Sequence, residues 1–305
     1  MPRLASALLV VGLLVATAAA FAVTERLKLV RSPIVETQLG RGIFSPVCGC
    51  ESATVELGFR LRNADRLTVT VVDAGGRTVA TLVSGEQRPA GPVLVRWDGR
   101  GDDGSVVPEG TYKPRVHLAG QRRTIELPNP MRVDTTPPRL EQLEVEPLTF
   151  SPDGDGRRDK VRASYRLSEE AKASLSVDGI VRVRGRTNEL EGGLDFHGGG
   201  LPAGSYRLVL EAVDRAGNSS EPVAATVTIR YIELTREVYR VRPGTHFRAR
   251  VVTDATSYSW RLAASRGQAS AAQLRLRAPR QPGRYALVVE VNGRRARAEV
   301  IVRAR

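Results

Sequence analysis

Phe44-Ser45-Pro46 and Phe150-Ser151-Pro152 are the same three residues, and fifteen residues after each Phe the chain reads Phe59-Arg60-Leu61 in one place and Tyr165-Arg166-Leu167 in the other. Six residues past each Leu begins an alternating stretch, Leu67-Thr68-Val69-Thr70-Val71 and Ala173-Ser174-Leu175-Ser176-Val177, which runs into Asp73-Ala74-Gly75-Gly76 and Asp178-Gly179. Such alternation puts one face of a strand in a core and the other in water, and a Gly turn after it closes a hairpin. The spacing repeats, so a structural unit repeats.

A second element occurs three times, as Pro108-Glu109-Gly110-Thr111-Tyr112, Pro202-Ala203-Gly204-Ser205-Tyr206 and the shorter Pro282-Gly283-Arg284-Tyr285. Each leads into alternating apolar residues: Val116 and Leu118; Leu208, Leu210 and Ala212; Leu287, Val289 and Val291. A tight turn feeding a strand that opens with Tyr resembles the tyrosine corner of immunoglobulin-like (Ig-like) sandwiches, where the hydroxyl bonds back to the backbone. The expected fold class is all-β: tandem Ig-like β-sandwich modules after an N-terminal transmembrane helix or signal segment. Length agrees, since 305 residues suit two or three domains of about 100 residues. The 29 Gly and 18 Pro favour turns over long helices.

Boundaries follow from the breakers. Asp134-Thr135-Thr136-Pro137-Pro138 cannot continue a central strand, because its prolines lack ladder donors. Asp214-Arg215-Ala216-Gly217-Asn218 reads as the turn before the last strand of module two, and module three begins almost at once near Ile232. The expected organisation is an anchor or signal peptide over 1–25, a juxtamembrane linker over 26–40, module one over 41–133, a linker over 134–138, module two over 139–230 and a basic module three over 232–305. The short junction between modules two and three should be stiffer than a Gly/Ser linker.

Leu4 to Val23 is a run of twenty residues without a charge, broken only by Ser6 and Thr17. At about 1.5 Å per residue it spans roughly 30 Å, the thickness of bilayer hydrocarbon. Ala18, Ala20 and Ala22 offer cleavage sites for a signal peptidase, so a retained anchor and a removed signal are both open. Either places the modules outside the cytoplasm: at the cell membrane as a single-pass protein with residues 4–23 in the bilayer, or secreted.

Module one, with Arg96-Trp97-Asp98-Gly99-Arg100-Gly101-Asp102-Asp103-Gly104 followed by Val107-Pro108-Glu109-Gly110-Thr111-Tyr112, resembles the Ig-like domain family described in the flagellar hook-capping protein FlgD. That family's pattern runs roughly W-D-G-x-D-x-x-G-x-x-V-P-x-G-x-Y, and the resemblance covers about residues 41 to 133. Module two keeps the framework with Phe196 in place of the Trp and a loop of six residues to Pro202, against eleven from Trp97 to Pro108. Module three is similar through Trp260, its turn and its strand pattern. Such domains occur on flagellar, adhesive and cell-surface proteins and as appendages of secreted hydrolases. The resemblance therefore implies a structural or binding module, and the fold leaves the function to particular sites.

Three constellations are candidate sites. Asp153, Asp155 and Asp159 hold positions 1, 3 and 7 of a Gly-rich loop, a spacing that can wrap calcium with oxygen ligands. The loop is also similar to the S-P-N-G-D-G-x-x-D openings of other surface repeats. Position 12, an acid in a complete EF-hand loop, is Ser164 here, and turn capping by the Asp side chains is the alternative reading. In module one the aligned stretch replaces every Asp and carries Cys48 and Cys50, the only two cysteines. Outside the cytoplasm this pair can close a small disulfide ring; a redox pair, a metal pair and free thiols are the other readings.

The third constellation is basic. The formal net charge is +13, and residues 232–305 contain sixteen Arg against five acids, eleven of those charges. Arg248 and Arg250, Arg275 and Arg277, Arg295 and Arg297, and Arg303 and Arg305 alternate with apolar residues, which puts guanidinium groups on one face of a sheet. Such a face attracts an anionic envelope polymer or lipid head groups; a solvated face enriched by Arg-rich coding is the bland alternative. Nucleic acid is not an expected partner, because no recognition helix, RNA-binding signature or aromatic platform is present. No catalytic site is expected either: the sequence has three His residues, one per module, and no H-E-x-x-H, G-x-S-x-G or P-loop pattern. The expected function is a non-enzymatic envelope structural or interaction protein, a membrane-tethered rod of modules. The alternatives are a binder of anionic surfaces through module three or an accessory module of a secreted enzyme. Another protein is a further candidate partner.

Overall fold

The computed structural model describes residues 11–22 and 32–303. Residues 11–22 are helical, and among the described residues no helix is long and apolar enough to cross a membrane. The expected span at 4–23 extends outside the described residues at both ends. The chain divides into two compact units, Met1–Thr135 and Thr136–Arg305, at the Thr-Thr-Pro-Pro stretch.

Module one is a sandwich of two sheets. Strands β1 (Ile34–Leu39), β3 (Val55–Leu61) and β6 (Gly91–Trp97) form the smaller, in the order β1-β3-β6. The larger takes the order β2-β9-β7-β4-β5, from β2 (Ile43–Phe44), β4 (Asp65–Val72), β5 (Thr78–Arg88), β7 (Gly110–Leu118) and β9 (Met131–Val133), with β8 (Arg123–Glu126) on β7. The expected linker over 26–40 is corrected here. Ile34–Leu39 pairs antiparallel with β3, and Ile34 is buried in the core, because its apolar side chain covers Leu61 and its neighbours.

Trp97 sits at the centre, 5.4 Å from the Phe44 ring and 5.3 Å from the Tyr112 ring, both edge-on. Such pairs contribute about 0.5–1.5 kcal/mol beyond the area they bury. The indole N–H donates to the Arg100 carbonyl at 2.9 Å, so the one polar atom of a buried Trp is satisfied. Gly99, at φ +72°, then turns the chain under Pro46, and a Cβ placed on it would lie 2.2 Å from the Pro46 ring.

Module two repeats the arrangement. Its strands are β10 (Leu140–Glu146), β11 (Thr149–Phe150), β12 (Val161–Val177), β13 (Ile180–Arg184), β14 (Glu189–Phe196), β15 (Gly204–Val213) and β16 (Val223–Ile229). The long β12 serves both layers: its first part pairs with β10 and β14, its last six residues with β15. Phe150 meets Phe196 edge-on at 6.0 Å, and Gly198, at φ +74°, lies under Pro152 as Gly99 lies under Pro46.

Module three contains β17 (Glu233–Leu234), β18 (Val238–Val241), β19 (His246–Val252), β20 (Tyr258–Leu262), β21 (Ser265–Ala269), β22 (Gln273–Arg277), β23 (Gly283–Val291) and β24 (Arg294–Val302). They form sheets β17-β19-β22 and β18-β24-β23-β20-β21 around a core of Tyr239, Val251, Leu274, Leu287, Val300 and their neighbours. Trp260, expected in this core, is only partly buried at its edge. In all three modules the second strand runs parallel to the last one, β2 on β9, β11 on β16 and β18 on β24. The repeated Tyr also acts alike in all three: Tyr112, Tyr206 and Tyr285 donate to the carbonyls of Pro108, Pro202 and Gln281, four residues back, at 2.7, 2.9 and 2.9 Å.

Two outcomes are expected. Gly99→Ala forces an L-residue into the left-handed region, at about 1–2 kcal/mol, and overpacks the Pro46 contact, at roughly 1–3 kcal/mol. The Trp97 fluorescence transition in denaturant, read in a Trp260→Phe background, should therefore move to a lower midpoint that corresponds to a loss of about 2–5 kcal/mol. The second concerns Asp65, which is buried and accepts from the amides of Gly120 and Arg66, both at 2.7 Å, and from Gln121 Nε2 at 3.2 Å. Burial pushes this carboxyl up, but the donors outweigh it and hold it below the ordinary aspartate range. Its contribution is full above about pH 4 and is lost as pH falls through the lowered value. Asp65→Asn should lower the thermal midpoint of module one at pH 7 by several degrees, and the gap to wild type should close as the pH is taken down through 4 and below.

Candidate functional site

The chain passes from module two to module three in one peptide bond: Tyr231 belongs to the core of the former and Ile232 to the core of the latter. The Tyr231 hydroxyl donates back to the Leu201 carbonyl at 2.8 Å, and Arg294, the first residue of β24, stacks its guanidinium 4.0 Å above the Tyr231 ring. Beside this contact is a cavity of about 130 Å³, lined by Phe150, Ser151, Arg158, Arg230, Tyr231 and Asp254 among others.

The acidic loop 153–159 lies at this junction. Its seven-residue span is closed by donation from Ser151 N to the Arg158 carbonyl at 2.9 Å, just as Ser45 N donates to the Ser52 carbonyl at 3.2 Å in module one. Within it the three expected ligands separate. Asp159 is turned inward on the loop, both oxygens accepting backbone amides, of Gly154 and Gly156, at 2.7 Å. This part of the predicted calcium set is turn capping. Asp153 and Asp155 are instead brought together with Asp254, from the β19–β20 loop of module three, so that each offers an oxygen within 4.8 Å of the others. Asp153 is 7% exposed and accepts from the Ser151 hydroxyl at 3.1 Å. Burial pushes the Asp153 and Asp254 carboxyls above the ordinary aspartate range, and repulsion from Asp155 adds to the rise at both. Nothing in the sequence around Val252-Thr253-Asp254 marks that acid, since its partners lie about a hundred residues away.

In module one, Cys48 and Cys50 are joined by a disulfide, with sulfurs 2.07 Å apart. Because Val47 stands where module two has Asp153, the buried Ser45 hydroxyl has no hydrogen-bond partner. The acids of the 98–104 loop are used by the turn: Asp102 accepts from the Thr81 amide at 2.7 Å, Asp103 from the Ser105 amide at 2.9 Å and Asp98 from the Arg100 amide at 3.0 Å.

The arginines of module three fall on two sheets rather than one face. Arg248, Arg250, Arg275 and Arg277 are exposed on β19 and β22, with Arg248 directly opposite Arg275 and His246 opposite Arg277. Among the described residues no carboxylate forms an ion pair with any of these four. Arg295 and Arg297 lie on β24 of the other sheet, where Arg295 pairs with Glu290 at 2.6 Å. Near it Trp260, Arg261, Arg266 and Arg295 line a shallow groove of about 360 Å³. Arg303 follows β24 and is exposed; Arg305 lies outside the described residues.

Residues 50–121 match the FlgD Ig-like domain family. The basal-body rod modification protein FlgD of Salmonella typhimurium is 43% identical over 65 residues, which is 21% of this chain and 28% of that protein. The Salmonella typhi protein of the same name gives the same figures. The match thus spans under a third of the length of these curated relatives. Among solved structures, the fibronectin(III)-like modules of Clostridium thermocellum CbhA cover 64% of this chain and 94% of their own, at 12% identity and a TM-score of 0.38. An I-band fragment of titin covers 90% and 100%, at 10% identity and 0.34. A bacterial ice-binding adhesin, described for host cell surface retention, covers 89% and 98%, at 12% and 0.31. The first module is accordingly a FlgD-type Ig-like domain.

Proposed function

We propose that this chain is a non-enzymatic structural or interaction protein of the cell envelope, held at the membrane through residues 4–23 with its β-modules on the outer side. The observation that carries this reading is the repetition of a β-sandwich, led by a FlgD-type module whose Phe44, Trp97 and Tyr112 are packed into its core and whose 98–104 carboxylates are occupied by backbone amides. What such modules offer a partner is their sheet faces and loops. The Cys48–Cys50 disulfide supports an oxidising compartment, since cytoplasmic thiols are kept reduced. The uncharged run from Leu4 to Val23 supplies the route there.

Cell fractionation with protease treatment tests this reading. The protein should sediment with membranes, be digested from outside intact cells and take up no alkylating reagent before reduction. Recovery from the cytosol with two alkylatable thiols overturns it.

A second reading, binding of an anionic polymer or lipid surface through module three, is favoured by one observation: Arg248 and Arg275 face each other across β19 and β22, and among the described residues neither forms an ion pair with a carboxylate. A basic residue near an anionic bilayer contributes roughly 1 kcal/mol, and salt screens it. Sedimentation with phosphatidylglycerol vesicles and with purified wall polymer should show binding at low salt that declines steeply as salt rises. Arg248→Glu with Arg275→Glu should weaken it at least tenfold, and no sedimentation of the wild type at low salt removes this reading.

A further inference from the structure

We propose that Asp153, Asp155 and Asp254 bind one hard divalent cation of the calcium class, which fastens module three to module two. The three carboxylates converge from two modules, each with an oxygen within 4.8 Å of the others. Convergence alone is common at protein surfaces, but these oxygens are not at the surface. Asp155 Oδ2 and Asp254 Oδ2 are sealed from solvent and meet no hydrogen-bond donor, while Asp153 is 7% exposed. A buried carboxylate oxygen without a donor is costly to leave so.

The nearby cations do not supply the missing partner. Among the described residues none of the three acids forms an ion pair with Lys or Arg, and Arg157 directs its guanidinium at the Asp254 backbone carbonyl, at 3.4 Å, rather than at a carboxylate. Asp155 and Asp254 each hold a sealed oxygen without a donor. They face Asp153, whose oxygens accept only from the Ser151 hydroxyl and the Asp155 amide, so the cluster calls for a positive charge at its centre. The weakened acidities of Asp153 and Asp254 agree, because both describe a cluster that resists ionisation when nothing occupies it.

The donor set selects the ion. All three ligands are carboxylates, with no His or Cys in the cluster, which disfavours zinc and copper. Calcium accepts six to eight oxygens in irregular arrangements and completes its shell with backbone carbonyls or water, whereas magnesium demands a near-ideal octahedron. The loops also fix the consequence. Asp153 and Asp155 lie between β11 and β12, Asp254 between β19 and β20, so an ion held by all three ties the modules a second time beside the Tyr231–Ile232 peptide and the Arg294–Tyr231 stack.

Terbium luminescence sensitised by the protein, with calcium as competitor, tests the site on the purified full chain. The expected result is one bound ion, displaced by calcium at or below about 10⁻³ M, the weak end of calcium modules. Calcium should also raise the unfolding temperature of the second unit and slow hydrogen exchange around residues 230–235. Asp254→Asn and Asp155→Asn should each weaken binding at least tenfold and abolish the calcium-dependent rise in unfolding temperature. Asp178→Asn, in the exposed β12–β13 turn, should bind as wild type. Either Asn variant relieves repulsion in the empty cluster, so each should remain folded without calcium. No displacement by calcium at about 5 mM, well beyond that range, overturns the proposal. So does an Asp254→Asn protein that binds within twofold of wild type.

Discussion

The seating of Phe-Ser-Pro on an aromatic-x-Gly turn is the contact on which modules one and two both depend. Phe44 and Phe150 are fully buried, and each meets the aromatic ring that ends a strand of the facing sheet, Trp97 or Phe196. The Pro two residues on then covers a Gly with positive φ, Gly99 or Gly198, where no Cβ fits. This contact joins the layers and holds the second strand parallel to the last one, β2 on β9 and β11 on β16. With the Phe and Pro fixed, the loop between them and the next strand is held at both ends by the same backbone bond, and its middle is free to differ. One copy fills it with a disulfide, the other with carboxylates.

Much of this was legible because the constraint is local in spacing. The Phe-Ser-Pro repeat, the fifteen-residue interval and the Pro-x-Gly-x-Tyr turn each record a packing or hydrogen-bond requirement that leaves few residue choices. What the sequence concealed is the partner of each element. Trp97-Asp98-Gly99 and Phe196-His197-Gly198 are visible as similar triplets, but nothing in them says that Gly lies beneath a proline fifty-three residues earlier in one case and forty-six in the other. Ile34–Leu39 falls within the expected linker over 26–40, yet pairing with β3 makes it a strand with a bulge. The acidic loop shows the same limit. Positions 1, 3 and 7 were read as one ligand set, while the backbone took Asp159 for two of its own amides and the fold brought Asp254 from another module.

Module three lacks the Phe-Ser-Pro seat and closes by different means. Its parallel pairing is longer, Val238 to Val241 along β24, and Tyr239 packs at 5.5 Å from Phe247 in place of the Phe–Trp contact. Its entrance is also stapled from outside, since Tyr231 remains in the previous core. A module with a weaker internal lock thus gains part of its definition from its neighbour, which is why the junction holds buried polar groups where the Thr-Thr-Pro-Pro stretch between modules one and two carries prolines.

The charge of module three is divided by the same sandwich. On the β23–β24 side, Glu290 and Glu299 pair with Arg295 and Arg284. On the β19–β22 side, Arg248 stands opposite Arg275 and neither forms an ion pair among the described residues, and like charges directly opposite cost up to about 1 kcal/mol in a sheet. Beneath them Ala249, Val251, Leu274 and Leu276 are almost wholly buried, and each of the larger side chains contributes roughly 1.5–3 kcal/mol by leaving water. Burial on the inner face therefore outweighs repulsion on the outer one. The fold tolerates the unmatched arginines without recruiting a carboxylate of its own, and an anionic partner meeting that face has no internal ion pair to displace.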